Sequence, residues 1–133
     1  MEQRNGKVYV SLEAELLFPS GSAEVDDKGR DLLAQLGAVI AEQNGLEIII
    51  EGHTDSDNLV SPNFPHNNWE LSVLRATSVL AIIRDQPGVD PAILTASGRS
   101  EYHPVDPKDK SRNRRIEVIL APKLDALFDL LDE

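Results

Sequence analysis

Apolar residues fall along this chain in short alternating runs separated by two longer stretches at helical spacing. Over residues 7–12, Val8, Val10 and Leu12 alternate with Lys7, Tyr9 and Ser11, which predicts a half-buried strand. Leu16-Leu17-Phe18 then runs into Pro19-Ser20-Gly21-Ser22, a loop by its proline and glycine. Asp26 and Asp27 open a helix with acidic charge at the positive end of its dipole. Leu32, Leu33, Leu36, Val39 and Ile40 continue it, and Asn44-Gly45 suits a left-handed cap at its end. Leu46 to Glu51 reads as a second strand, with Leu46, Ile48 and Ile50 on one face and Ile49 on the other. That pattern marks a central strand covered at least partly on both sides.

A second helix is capped by Asn67 or Asn68 and runs to about Gln86, with Leu71, Val73, Leu74, Val79, Leu80, Ala81 and Ile83 as a broad apolar face. Pro87-Gly88 stops it, and Asp90-Pro91 starts one short turn before a strand near 94–97. Residues 99–112 are polar and carry two prolines, hence a loop. A last strand spans 114–120, Pro122 ends it, and Leu124, Leu127, Phe128 and Leu131 outline a small terminal helix. The order β-α-β-α-β-β implies an α/β two-layer sandwich, two main helices on a four-stranded mixed sheet. The helix between the second and third strands makes a right-handed parallel crossover. The 133 residues fit one domain, with its core at about 8–121 and the tail helix at 122–133.

Composition narrows the partners more than the fold. The net charge of -10 argues against nucleic acid or an anionic membrane surface, both of which are held by basic patches. One local exception is Lys108, Lys110, Arg112, Arg114 and Arg115, which reads either as a solvated loop entering a strand or as Arg114 or Arg115 adding positive charge to a cleft nearby. There is no cysteine, so disulfides and thiolate metal sites are excluded. No apolar run reaches the 18 residues a membrane span needs, and no signal peptide is visible. A soluble piece of a longer anchored or exported protein has the same look.

Candidate chemistry gathers at Gly52-His53-Thr54-Asp55 and, thirteen residues beyond Asp55, at Asn68-Trp69-Glu70-Leu71-Ser72-Val73-Leu74-Arg75-Ala76. A carboxylate at a strand end and a guanidinium early in the next helix can hold a small zwitterion, Asp55 taking its ammonium and Arg75 its carboxylate. Asn68, Leu71 and Arg75 share a helical face. The spacing equally allows an Asp55–Arg75 salt bridge that ties loop to helix. His53, Asp55 and Asp57 alternate as metal ligands would, but no second histidine-rich element accompanies them; metal and cofactor sites are expected to be absent. Ser56 and Ser72 lack a glycine-flanked elbow or an oxyanion loop, so no catalytic residue is expected. Trp69 reads as a packing anchor, and with 5% aromatic residues the chain offers no aromatic ladder for sugars or bases.

Five motifs in order carry a resemblance. They are Leu17-Phe18-Pro19-Ser20-Gly21-Ser22-Ala23-Glu24, Glu51-Gly52-His53-Thr54-Asp55, Asn68-Trp69-Glu70-Leu71-Ser72 with Arg75-Ala76, Gly98-Arg99-Ser100-Glu101-Tyr102-His103-Pro104, and Asn113-Arg114-Arg115-Ile116-Glu117. With them the chain resembles the OmpA/MotB-type peptidoglycan-binding domain over about 8–121. Phe64-Pro65 and Trp69-Glu70-Leu71-Ser72 bring it closer to flagellar stator B subunits than to outer-membrane lipoproteins. The resemblance implies non-covalent attachment to the cell wall through the diaminopimelate of the stem peptide. Asp55 and Arg75 would clasp it, with Thr54, Asn68, Leu71 and Arg115 lining or supporting. Pro19 stands where many members have Asp, so that contact is left out. The resemblance further implies a periplasmic domain of a membrane-anchored protein, homodimer formation, and an inner-membrane partner reached through a segment N-terminal to Met1.

Overall fold

The computed structural model describes residues 2–19 and 21–122. Five strands and three helices alternate: β1 Glu2–Arg4, β2 Lys7–Glu13, α1 Asp27–Ala41, β3 Leu46–His53, α2 Asn68–Arg84, β4 Leu94–Gly98, α3 Lys110–Asn113 and β5 Arg115–Pro122. They form one sheet in the order β1-β2-β5-β3-β4, in which only the β3–β4 pair is parallel. The two-layer α/β arrangement is the expected one, and α2 makes the parallel crossover.

The sheet has a fifth strand beyond the four that the hydrophobic pattern predicts. Glu2–Arg4 pairs back on Lys7 through Tyr9, and the connecting Asn5 and Gly6 both hold positive φ, 54° and 76°. An Asn-Gly pair is the preferred centre of a two-residue hairpin turn whose twist matches the strands. β1 has no apolar alternation of its own and is exposed throughout, so a reading based on burial passes over it. Residues 99–112, expected as loop, contain the start of the one-turn helix α3, capped by Asp109. The terminal helix expected at 122–133 lies outside the described residues except for Pro122, which closes β5.

Both long helices begin at the expected caps. Asp26 accepts from the Gly29 N–H and Asn67 from the Glu70 N–H, each at 2.9 Å. Leu33, Ile40, Ala76, Val79 and Ile83 project from the helices onto Ile48, Ile50, Ile116 and Val118 of the central strands, and all are nearly or fully buried. Leu17, Phe18 and Val25 close one end of this core from the β2–α1 connection.

Two glycines set how closely α2 lies on the sheet. A Cβ on Gly52 would stand 2.0 Å from the Ser72 carbonyl oxygen, and one on Gly98 would stand 2.5 Å from the Ser72 hydroxyl. Strand ends and helix backbone are therefore in direct contact, with the small, fully buried Ser72 between them. Its hydroxyl donates to the Trp69 carbonyl and accepts from the Ser100 N–H, while Thr54 N–H bonds to the Ser100 carbonyl. The end of β3, the start of α2 and the turn after β4 are locked together at this point. Residues 54–55 and 68–75 thus face each other at a fixed spacing.

Candidate functional site

Asp55 follows β3 and is 7% exposed. One carboxylate oxygen accepts from the Asp57 N–H at 2.9 Å, an Asx-type turn that fixes the side chain toward a cleft. The other oxygen takes the Arg114 guanidinium at 2.5 Å. Thr54 donates its hydroxyl to the Asp55 carbonyl, and the Asn68 amide donates to the Asp57 carbonyl at 2.9 Å. Thr54 and Asn68 therefore shape the backbone that presents Asp55. Leu71, one turn along α2, supplies the apolar wall.

Arg75 enters from α2 and is 6% exposed. Its Nε donates to the Ser22 carbonyl at 2.9 Å, and its guanidinium carbon lies 5.0 Å from the centre of the Phe18 ring. Among the described residues no carboxylate comes within ion-pair distance of it, Asp55 included. The internal Asp55–Arg75 salt bridge that spacing allows is not formed; Asp55 pairs with Arg114 instead. Burial lowers the Arg75 pKa from its ordinary value, the Arg114 charge lowers it further, and Asp55 partly offsets both. The pKa of Arg114 moves up, chiefly through its hydrogen bond to Asp55.

These groups surround a cleft of about 600 Å³ lined by Ala14, Glu15, Phe18, Pro19, Gly21, Asp55, Asp57, Arg75 and Arg114. A smaller lobe of about 190 Å³ continues past Thr54, Asn68 and Leu71. One buried carboxylate faces two guanidiniums, of which only Arg114 is ion-paired. Glu15 and Asp57 also line the cleft, paired with Arg114 and Lys110, so Arg75 is the cation there without a carboxylate partner among the described residues. It can take an anionic group at Arg75 and a hydrogen-bond donor at the remaining lone pairs of Asp55.

Arg115, the sixth expected residue, lies elsewhere. It pairs with His53 in the β3–β5 register, one position before the core-facing Ile116, and so points to the sheet face away from the helices. There its Nε donates to Glu117 at 2.7 Å and its other nitrogens to the Asn113 and His103 carbonyls. Strand alternation sends neighbouring residues to opposite faces, so Arg114 is the arginine in the cleft. The adjacent pair was visible in sequence, but which member faces the cleft depends on where β5 starts. His53 also lies on the far face, its Nε2 2.9 Å from Glu51. That bond, set against burial, holds the Glu51 pKa at about 2. Among the described residues no three His, Cys, Asp or Glu side chains gather as metal ligands.

Fold and cleft together define a small α/β domain with a charged cleft between the end of β3 and the start of α2. Residues 17–117 match the model of the OmpA family, and the chain belongs to that family. It is similar to Motility protein B of Bacillus subtilis, with 30% identity over 120 residues, 87% of this chain and 46% of that protein. Among solved structures, a MotB-like protein from Desulfovibrio vulgaris aligns at 31% identity with a TM-score of 0.81, covering 89% of this chain and 77% of that one. The cell wall anchor of the T6SS from Pseudomonas aeruginosa aligns at 28% identity and TM-score 0.79, covering 92% and 86%. The chain spans about half the length, or less, of the curated relatives it matches. Those relatives are named as a motility protein, two flagellar export/assembly proteins and an uncharacterized protein.

Proposed function

We propose that this domain binds peptidoglycan by clasping the diaminopimelate of a stem peptide, and so anchors a membrane complex to the cell wall in the periplasm. The observation that carries this reading is the guanidinium of Arg75, 6% exposed at a cleft, without a carboxylate partner among the described residues and across that cleft from Asp55. Leaving a cation unpaired in a partly desolvated site costs stability, and a ligand carboxylate relieves that cost. Diaminopimelate carries an ammonium and a carboxylate on one carbon. The carboxylate lies between Arg75 and Arg114, and the ammonium donates to Asp55. Thr54 and Asn68 hold the Asp55 loop, Leu71 covers the methylene chain, and Arg115 acts only by bracing the strand from behind.

The complex anchored is a flagellar-type stator, in the sharper form of this reading, with the domain paired as a homodimer and an inner-membrane subunit as partner. Similarity to motility protein B supports it. A general envelope anchor outside motility is the alternative, and the comparable likeness to the T6SS cell wall anchor favours keeping it. Co-sedimentation with purified sacculi tests the common core. The wild-type domain is expected to pellet with them and the Asp55→Asn, Arg75→Ala double variant to stay in solution. Equal pelleting of both would remove the assignment.

A further inference from the structure

The sheet ends in two open edges, and they are defended differently. β1 is three residues long and carries Glu2 and Arg4, the short, charged kind of edge that resists pairing with another chain. β4, at the other end, is Leu94-Thr95-Ala96-Ser97-Gly98, with no charge and no proline. It pairs with β3 in parallel, and the Arg99 N–H continues that ladder onto the Gly52 carbonyl. Main-chain groups alternate in direction along a strand, so Thr95 and Ser97 turn theirs to β3 while Ala96 and Gly98 turn theirs outward. Among the described residues nothing bonds to those outward groups.

An apolar groove lies beside this edge. Trp69, expected from sequence to anchor packing, is 51% exposed, and with Phe64, Glu70, Val73, Leu74 and Thr77 it lines a cavity of about 380 Å³. Val73 joins groove to edge, since a Cβ on Gly98 would stand 2.6 Å from its side chain. Leu94 and Ala96 lie on the helix side of β4, opposite the core residues Ile48 and Ile50, yet they are only partly buried because no further strand covers them.

We propose that the β4 edge is a docking site for an extended segment of a partner polypeptide, added to the sheet beside β4. The open main-chain donors and acceptors of Ala96 and Gly98 select the occupant, because another extended backbone satisfies both kinds at strand spacing. Strand geometry then places its side chains. Alternate residues fall on the helix side, against Leu94, Ala96 and the groove, and the others lie beside Thr95 and Ser97 on the opposite face. The segment that fits alternates aliphatic and hydroxyl residues, valine with threonine above all. The five-residue edge is roughly 17 Å long and, one sheet layer of about 10 Å deep, offers roughly 170 Å². A second copy of the chain held by this edge alone falls well short of the about 800 Å² per partner that a stable interface needs. One short strand matches the length of the edge and uses the groove as well.

The probe is a short synthetic peptide of alternating valine and threonine with lysine at both ends, and its control has the same charge but a central proline. In the free domain, amide hydrogen exchange should be fast at Ala96 and Gly98 and slow at Thr95 and Ser97. At saturating peptide, exchange at Ala96 and Gly98 should slow about tenfold, the scale of one added hydrogen bond. The emission of Trp69, the single tryptophan of the chain, should shift with it. Val73→Lys, a change at a position 43% exposed, should weaken both responses. The Asp55→Asn, Arg75→Ala variant should keep them, which sets this edge apart from the cleft. Equal protection by the proline peptide, no protection by the valine–threonine peptide, or protection of the free domain that grows with its own concentration overturns the proposal.

Discussion

Arg75 and Arg115 are both buried guanidiniums, and the protein uses them in opposite ways. Arg115 has all three nitrogens engaged, on the Glu117 carboxylate and on the carbonyls of Asn113 and His103. Arg75 spends one nitrogen on the Ser22 carbonyl, rests on Phe18 and leaves the rest of its fork to the cleft. Arg115 is 5% and Arg75 6% exposed, so depth does not distinguish them. Completion does. A buried cation bonded through each of its nitrogens holds structure together, whereas one left open beside a cleft and near a carboxylate is available to a ligand.

The sharpest way to break this contrast is to truncate each arginine in turn. Arg115→Ala strands the Glu117 carboxylate, already left with one unpartnered oxygen, and should cost about 3–5 kcal/mol in denaturant unfolding. Arg75→Ala removes one neutral-acceptor hydrogen bond and should change stability by only about 1 kcal/mol while removing ligand binding. Similar losses of stability in the two variants would erase the distinction.

A smaller effect is expected at the contact that holds the cleft walls apart. Gly52→Ala drives a methyl against the Ser72 carbonyl, a backbone atom that cannot swing aside. A loss of about 1–3 kcal/mol should accompany it, together with weaker binding, because α2 and Arg75 shift away from Asp55. Normal affinity in that variant would mean that the spacing of the walls is not set there.

Smallest is a pH effect confined to the far face. The Glu51 pKa of about 2 lies below its ordinary 4.5, so its contribution is fully present above pH 4.5 and is lost as pH falls toward 2. Glu51→Gln should flatten the acid limb of the stability curve by about 1 kcal/mol, solvent screening of this partly exposed group included, and leave ligand affinity at neutral pH unchanged. An unaltered acid limb would show that the Glu51 carboxyl is not held below its ordinary range in the folded protein.

Much of this was legible in the sequence because it rests on local rules. Caps at Asp26 and Asn67, the aliphatic faces of α1, β3 and α2, and the juxtaposition of Asp55 with Arg75 all follow from period and spacing. What escaped depends on register or on distant contacts. β1 is signalled by Asn5-Gly6 and not by hydrophobicity. The choice between Arg114 and Arg115 turns on a one-residue phase of β5, and the Asp55–Arg114 pair joins residues 59 apart. Trp69 looks like an anchor by type, yet its exposure is set by how α2 meets the β4 edge, where Val73 and Ser72 crowd Gly98 instead.

An open guanidinium across a cleft from a carboxylate should hold a free zwitterion, and calorimetric titration with free diaminopimelate tests this without the rest of the wall. Saturable one-to-one binding is expected of the wild-type domain, lost in Asp55→Asn and in Arg75→Ala variants that melt like the wild type. Undiminished binding by a folded Arg75→Ala domain would contradict it.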